Sequence, residues 1–131
     1  MEGLVWEVTR PLEGDCEVEF FTWDDKLGVE TFWHSAAHVL GSSLEKEFGG
    51  HLCFGPPLEA GGESGFFYDS YVGTEVFSND TYPKIEAHAA AITKQKMTFQ
   101  RIVVDKKVAL EIFKHNPFKI QLITTKIRDD G

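Results

Sequence analysis

One run limits the architectures open to this chain more than any other. Between about Leu27 and Phe48, Trp33, Ala37, Leu40, Leu44 and Phe48 recur at spacings of three and four, and Gly49-Gly50 ends the pattern. That repeat marks one face of an α-helix, closed by residues that stop it. A helix with a single apolar stripe must bury it against a second layer. His34 and His38 fall on the flank of the stripe, four residues apart and therefore on successive turns of one face. Gly41 lies on the same flank, where a missing side chain lets another backbone or a substrate approach closely.

The rest of the chain supplies that second layer. Leu4–Val8 and Glu17–Trp23 are rich in β-branched and aromatic residues, and Arg10-Pro11-Leu12-Glu13-Gly14-Asp15 between them reads as a turn. Two strands alone are marginal in water, so residues 1–25 read as the tail of a larger sheet. His51–Phe54 and Phe66–Val72 are expected strands, separated by the loop Gly55–Gly65. Asp80 or Thr81 is placed to cap a helix with Pro83 in its first turn, running to about Met97. Phe99–Val104 is an expected strand, Asp105 caps a short helix ending near His115-Asn116-Pro117, and Phe118–Ile123 is an expected last strand. The predicted class is α+β, with helices on one face of a mainly antiparallel sheet. An open sheet edge at Phe118–Ile123 is a candidate for self-association.

Composition narrows the function classes. A hydrophobic content of 42% in 131 residues is enough for one packed domain with a small appendage. The formal charge of −8 argues against a free-standing, non-specific nucleic-acid binder. It leaves room for a domain that handles only the tip of an RNA delivered by basic neighbours. Residues 1–10 lack an apolar signal core, and no run approaches membrane-spanning length. Cys16 and Cys53 lack CxxC spacing, which suggests a reducing, cytosolic setting, with Cys53 a packing residue.

The chemistry-bearing residues have bland readings as well. An isolated pair of histidines at i, i+4 is commonly solvated or satisfied within a core. A metal would need a third ligand, and His51, Cys53, His88 and His115 show no ligand spacing, so no metal is expected. Position 35 is Ser, which removes the zinc-protease form H-E-x-x-H. The Gly/Pro loop lacks phosphate-loop spacing and is either a long connection or a backbone-lined pocket for a small substrate. Phe66-Phe67-Tyr68-Asp69 reads as a buried strand with one polar handle. Lys119, alternating with Phe118 and Ile120, faces either solvent or a site.

Four ordered motifs carry a resemblance: His34-Ser-Ala-Ala-His38-Val-Leu-Gly41, Gly55-Pro-Pro-Leu-Glu59, Gly65-Phe-Phe-Tyr68-Asp69 and Asn116-Pro-Phe-Lys119. In this order they resemble the N-terminal editing domain of threonyl-tRNA synthetases, closest to the eukaryotic cytosolic type and related to the editing domain of alanyl-tRNA synthetase. Leu4–Asp15 is similar to the last strands of the small β-grasp TGS domain that precedes it. The resemblance covers essentially the whole chain and implies two parts, the end of a TGS domain over 1–25 and an editing domain over 26–131.

What the resemblance implies is hydrolysis of mischarged seryl-tRNA(Thr), while the parent threonine–tRNA ligase attaches threonine to tRNA(Thr) with ATP. Rejecting serine by binding alone is worth only about 1–3 kcal/mol, the value of one methyl group, so a second site removes it after transfer. By that likeness His34 and Lys119 place and activate the attacking water, and His38 orients the terminal ribose or that water. Gly55 and Tyr68 line the serine pocket, with Gly41 beside them. The implied partners are the serine-carrying 3′ end of tRNA(Thr) and the rest of the synthetase chain, in a cytoplasmic homodimer without membrane contact. The fragment itself needs no cofactor; ATP, Mg and Zn belong to the parent.

Two departures stand out. The family's Cys-x-x-x-His motif does not occur between Lys119 and Gly131, and Ala60–Ser64 are extra residues before Gly65. The expected chain is therefore a fragment, inactive in editing when isolated. The contrary reading is a standalone editing-like module that binds RNA or protein without catalysis. Incubated with threonine and ATP, the isolated chain is expected to show no pyrophosphate exchange. Exchange above background contradicts the fragment reading.

Overall fold

The computed structural model describes residues 4–55, 57–58 and 65–127. Four helices and four two-residue strands follow in the order α1 (Lys26–Phe48), β1 (His51–Leu52), β2 (Pro57–Leu58), β3 (Gly65–Phe66), β4 (Ser70–Tyr71), α2 (Tyr82–Lys94), α3 (Lys106–Ile112) and α4 (Pro117–Lys126). The class is α+β with short antiparallel pairing, as the alternation of patterns requires.

Helix α1 forms where the 3.6-residue repeat places it. Ala37 and Leu44 on its stripe are buried, with Leu40 half-buried beside them. Gly49 closes it in the left-handed conformation (φ 62°), its N–H donating to the Glu45 carbonyl at 2.8 Å. Only glycine holds that geometry without a Cβ penalty. Helix α2 packs across α1. Its Ile85 and Ile92 are buried, and Leu40, Leu44, Phe77, Tyr82 and Ile85 line an apolar cavity of about 310 Å³ that also reaches Tyr68. Glu47 of α1 ties the two helices together, with Lys84 Nζ at 3.3 Å from Oε1 and His88 Nε2 at 3.2 Å from Oε2. Helix α2 ends at Lys94 rather than near Met97, and Lys96 has a positive φ of 49°. Thr81 sits at its N-cap position, but its hydroxyl bonds back to Ser78 instead of capping.

Strands β1 and β4 pair antiparallel, His51 opposite Tyr71 and Leu52 opposite Ser70. Strands β2 and β3 continue the same ribbon, Pro57 opposite Phe66 and Leu58 opposite Gly65. Between them Cys53 N–H donates to the Asp69 carbonyl and Asp69 N–H to the Phe54 carbonyl. Four residues (53–56) separate Leu52 from Pro57, whereas three (67–69) separate Phe66 from Ser70. Cys53 and Phe54 thus share the single partner Asp69, the two-against-one pattern of a β-bulge, which bends a strand. It falls opposite Asp69, the residue after Tyr68.

Several expected strands are corrected. Leu4–Val8, Glu17–Trp23 and Phe99–Val104 carry no strand. Their composition favours a pleated surface, but a strand exists only with a paired backbone, and no ladder forms along these segments. Glu7, Thr9 and Arg10 instead line, with residues 99–103, an open cavity of about 530 Å³, and Arg101 Nε stands 3.6 Å from the Glu7 carboxylate. Phe118–Ile123 is not a strand but part of α4. Asn116 accepts from the Phe118 and Lys119 N–H groups at 3.1 Å each, and Pro117 occupies the first helical position. Those local bonds outweigh the alternating apolar pattern. The open edge expected at 118–123 disappears with the strand. The extra residues Ala60–Ser64 and the tail 128–131 lie outside the described residues, as does most of the Gly/Pro loop.

Leu44 is only 5% exposed and sits where α1 meets α2. Leu44→Ala is expected to cost about 2–5 kcal/mol of stability by urea unfolding. A loss below 1 kcal/mol would contradict the packing of these helices.

Candidate functional site

Three segments distant in sequence meet at the ring of Tyr68. From α1 comes Gly41, where an added Cβ would lie 2.8 Å from Tyr68 Cε2 and 2.9 Å from Cδ2. From the bulged ribbon comes Gly55, where a Cβ would lie 2.5 Å from Tyr68 Cδ2 and 2.6 Å from Cγ. Such separations are far inside van der Waals contact, so the ring occupies the space that two side chains would need. From α4 comes Lys119, whose ammonium donates to the Tyr68 hydroxyl at 3.3 Å. Its Nζ also stands 5.6 Å from the ring centroid.

The histidine pair completes the cluster. The His34 and His38 rings are 5.0 Å apart on successive turns of α1, as their spacing requires. The His38 ring approaches Tyr68 edge-on, with centroids 6.2 Å apart. All six residues singled out from sequence (His34, His38, Gly41, Gly55, Tyr68 and Lys119) therefore gather in one place. Lys119 arrives from the first turn of a helix, not from the alternation of a strand.

Electrostatics distinguishes the two imidazoles. Partial burial, then the neighbouring His34, then Lys119, hold the His38 pKa below the ordinary 6.5. All three causes penalise the cation. At neutral pH His38 is therefore a neutral base and hydrogen-bond acceptor, next to an ammonium that can only donate. Such a combination can orient a water and accept a proton from it while a fixed positive charge faces the developing oxyanion.

The other candidate residues are engaged elsewhere. His88 pairs with Glu47, and the His51 ring lies 6.3 Å from that of Phe118. Cys53 and Cys16 are free thiols. Among the described residues no three His, Cys, Asp or Glu side chains are grouped to hold a metal ion, so His34 and His38 lack a third ligand there. No helix of the described residues is long and apolar enough to cross a membrane.

Asn116 was legible in sequence only as part of a motif. It is buried, and its Nδ2 donates to the Leu52 carbonyl of β1 at 2.8 Å. The Asn-Pro pair, a strong helix-start signal, was available to identify it.

Two outcomes check this geometry. His38 is expected to titrate below 6.5 by NMR, with a midpoint that rises in Lys119→Met, since removing a nearby cation favours imidazolium. The folded chain then binds fewer protons at this site than the unfolded one, so His38 erodes stability as pH falls through 6.5. A midpoint at or above 6.5 would remove the proposed neutral base. Gly55→Ala is expected to displace the Tyr68 ring and cost about 1–3 kcal/mol, read from ring-proton shifts and thermal unfolding. Unchanged Tyr68 shifts would contradict the close approach.

No protein-family model matches the chain. Curated relatives do. The chain is 46% identical over 123 residues to threonine–tRNA ligase, mitochondrial 1, of Arabidopsis thaliana, covering 94% of this chain and 17% of that protein. It is 42% identical over 127 residues to the cytoplasmic threonine–tRNA ligase of Caenorhabditis elegans, covering 97% and 17%. With the human cytoplasmic threonine–tRNA ligase 2 it shares 39% identity over 127 residues, covering 97% and 15%. The chain thus spans about 17% of the length of the first of these relatives. Over 94–97% of its length the chain is homologous to one segment of the threonine–tRNA ligases.

Proposed function

We propose that this chain serves a threonine–tRNA ligase as the segment that removes serine from mischarged tRNA(Thr). The observation that carries the reading is the meeting of His38 and Lys119 on Tyr68, whose ring is packed against two positions without side chains, so that a base and a cation come together. In the reaction, water adds to the carbonyl carbon of the seryl ester. The ester C–O bond to the ribose then breaks, one proton of the water passes by way of an imidazole to the ribose oxygen, the other is released to solvent, and serine leaves as its carboxylate. Neutral His38 orients the water or the ribose hydroxyl, and His34 and Lys119 place and activate that water. The Lys119 charge faces the oxygen that becomes negative. Hydrolysis of an activated ester needs positioning and proton transfer more than a strong nucleophile, which suits an imidazole beside an amine.

In this reading Gly55 and Tyr68 line the serine pocket and exclude the extra methyl of threonine by close contact. The partners follow from the substrate: the 3′ end of tRNA(Thr) and the remainder of the ligase chain, within a cytoplasmic homodimer. Residues 1–25 belong with a preceding TGS domain and 26–131 with the editing domain. ATP, Mg and Zn serve threonine attachment elsewhere in the parent, and no step at Tyr68 passes through them.

The test places these 131 residues in the Arabidopsis relative in exchange for the matching segment. Threonylation reports that the chimera folds. It is expected to deacylate seryl-tRNA(Thr), and His38→Ala or Lys119→Met should lower that rate by about 10²-fold or more. A chimera that threonylates but leaves seryl-tRNA(Thr) intact would overturn the reading.

A further inference from the structure

Asn116 is only 3% exposed, yet its carboxamide is almost fully used. Oδ1 accepts from the Phe118 and Lys119 N–H groups, and Nδ2 donates across 64 residues to the Leu52 carbonyl. A helix start needs only the acceptor, which Ser, Thr or Asp supply equally well. The donor does something more, joining the first turn of α4 to β1. Leu52 touches the Gly41 position, with Cδ1 3.1 Å from a Cβ built there, and the next two residues exchange backbone bonds with Asp69, adjacent to Tyr68. One short side chain therefore relates the backbone of Lys119 to the strand that seats Tyr68.

Lys119 is also not where helix electrostatics would put a lysine. It lies in the first turn of α4, at the positive end of the helix dipole, and that turn carries no acidic residue. Its ammonium reaches Tyr68 because the helix start is held in place, with Pro117 fixing one backbone dihedral beside it.

We infer that Asn116 is a positioning residue, whose amide bridge to β1 holds Lys119 against Tyr68. Its bearing on catalysis rests on the role given to Lys119 above; the geometric part does not. Asn116→Ser keeps a capping oxygen and lacks the reach to the Leu52 carbonyl. In the 131-residue chain it is expected to retain α4 while losing the NMR contacts between the Lys119 Hε and Tyr68 ring protons. In the chimera it should lower kcat for seryl-tRNA(Thr) hydrolysis at least about tenfold with KM little changed. Added to Lys119→Met it should lower kcat no further. Persisting Lys119–Tyr68 contacts, or effects that multiply with those of Lys119→Met, overturn the inference. A chimera inactive from the start removes the editing reading alone, because the NMR contacts still decide the placement. The unsubstituted chain gives a check independent of variant folding. One Asn116 side-chain N–H is expected to exchange slowly with solvent, and exchange as fast as an exposed amide refutes the bridge.

Discussion

Everything at this site depends on the Tyr68 ring lying against two positions that have no side chain. Gly41 on α1 and Gly55 in the ribbon each bring backbone close enough that a Cβ would overlap the ring. Helix α4 reaches the phenol from a third direction through Lys119. Close packing makes the arrangement sensitive, since a ring touched on two sides cannot drift without opening a void or colliding with backbone.

The charges follow the same division of space. At one end of α1, Glu47 is held between Lys84 and His88, an ion cluster that fastens α1 to α2. Toward the middle, His38 lies within reach of the Lys119 charge and beside His34, and burial with these neighbours pushes it toward its neutral form. Two histidines on one helix flank and a third on its packing partner thus do different work. On α2 the His88 imidazole serves the helix packing through Glu47, whereas on α1 the burial and cationic neighbours of His38 leave it a base.

Much of this was readable in advance, and the failures have a common cause. Helix α1 announced itself through Trp33, Ala37, Leu40 and Leu44, because one 3.6-residue repeat determines one buried face. The six residues at the site were named by motif. Where the reading failed, at Leu4–Val8, Glu17–Trp23 and Phe99–Val104, composition favoured strands, but pairing is a property of two backbones and not of one segment. At Phe118–Ile123 the alternating apolar pattern misled, although Asn116-Pro117 already carried the local signal for a helix start.

The sequence by itself determined the long amphipathic helix, the histidine spacing on its flank, the α+β class and the kinship with threonine–tRNA ligases. These are local or pattern properties, set by periodicity and by residue order. Only the tertiary structure decided that Gly41, Gly55 and Lys119 converge on one tyrosine, that Lys119 arrives at a helix start, and that Asn116 ties that start to β1. Those relations join residues up to 78 positions apart, as between Gly41 and Lys119. Contacts at that separation arise from burial, from a register shift of one residue and from the single orientation in which a buried carboxamide satisfies both ends.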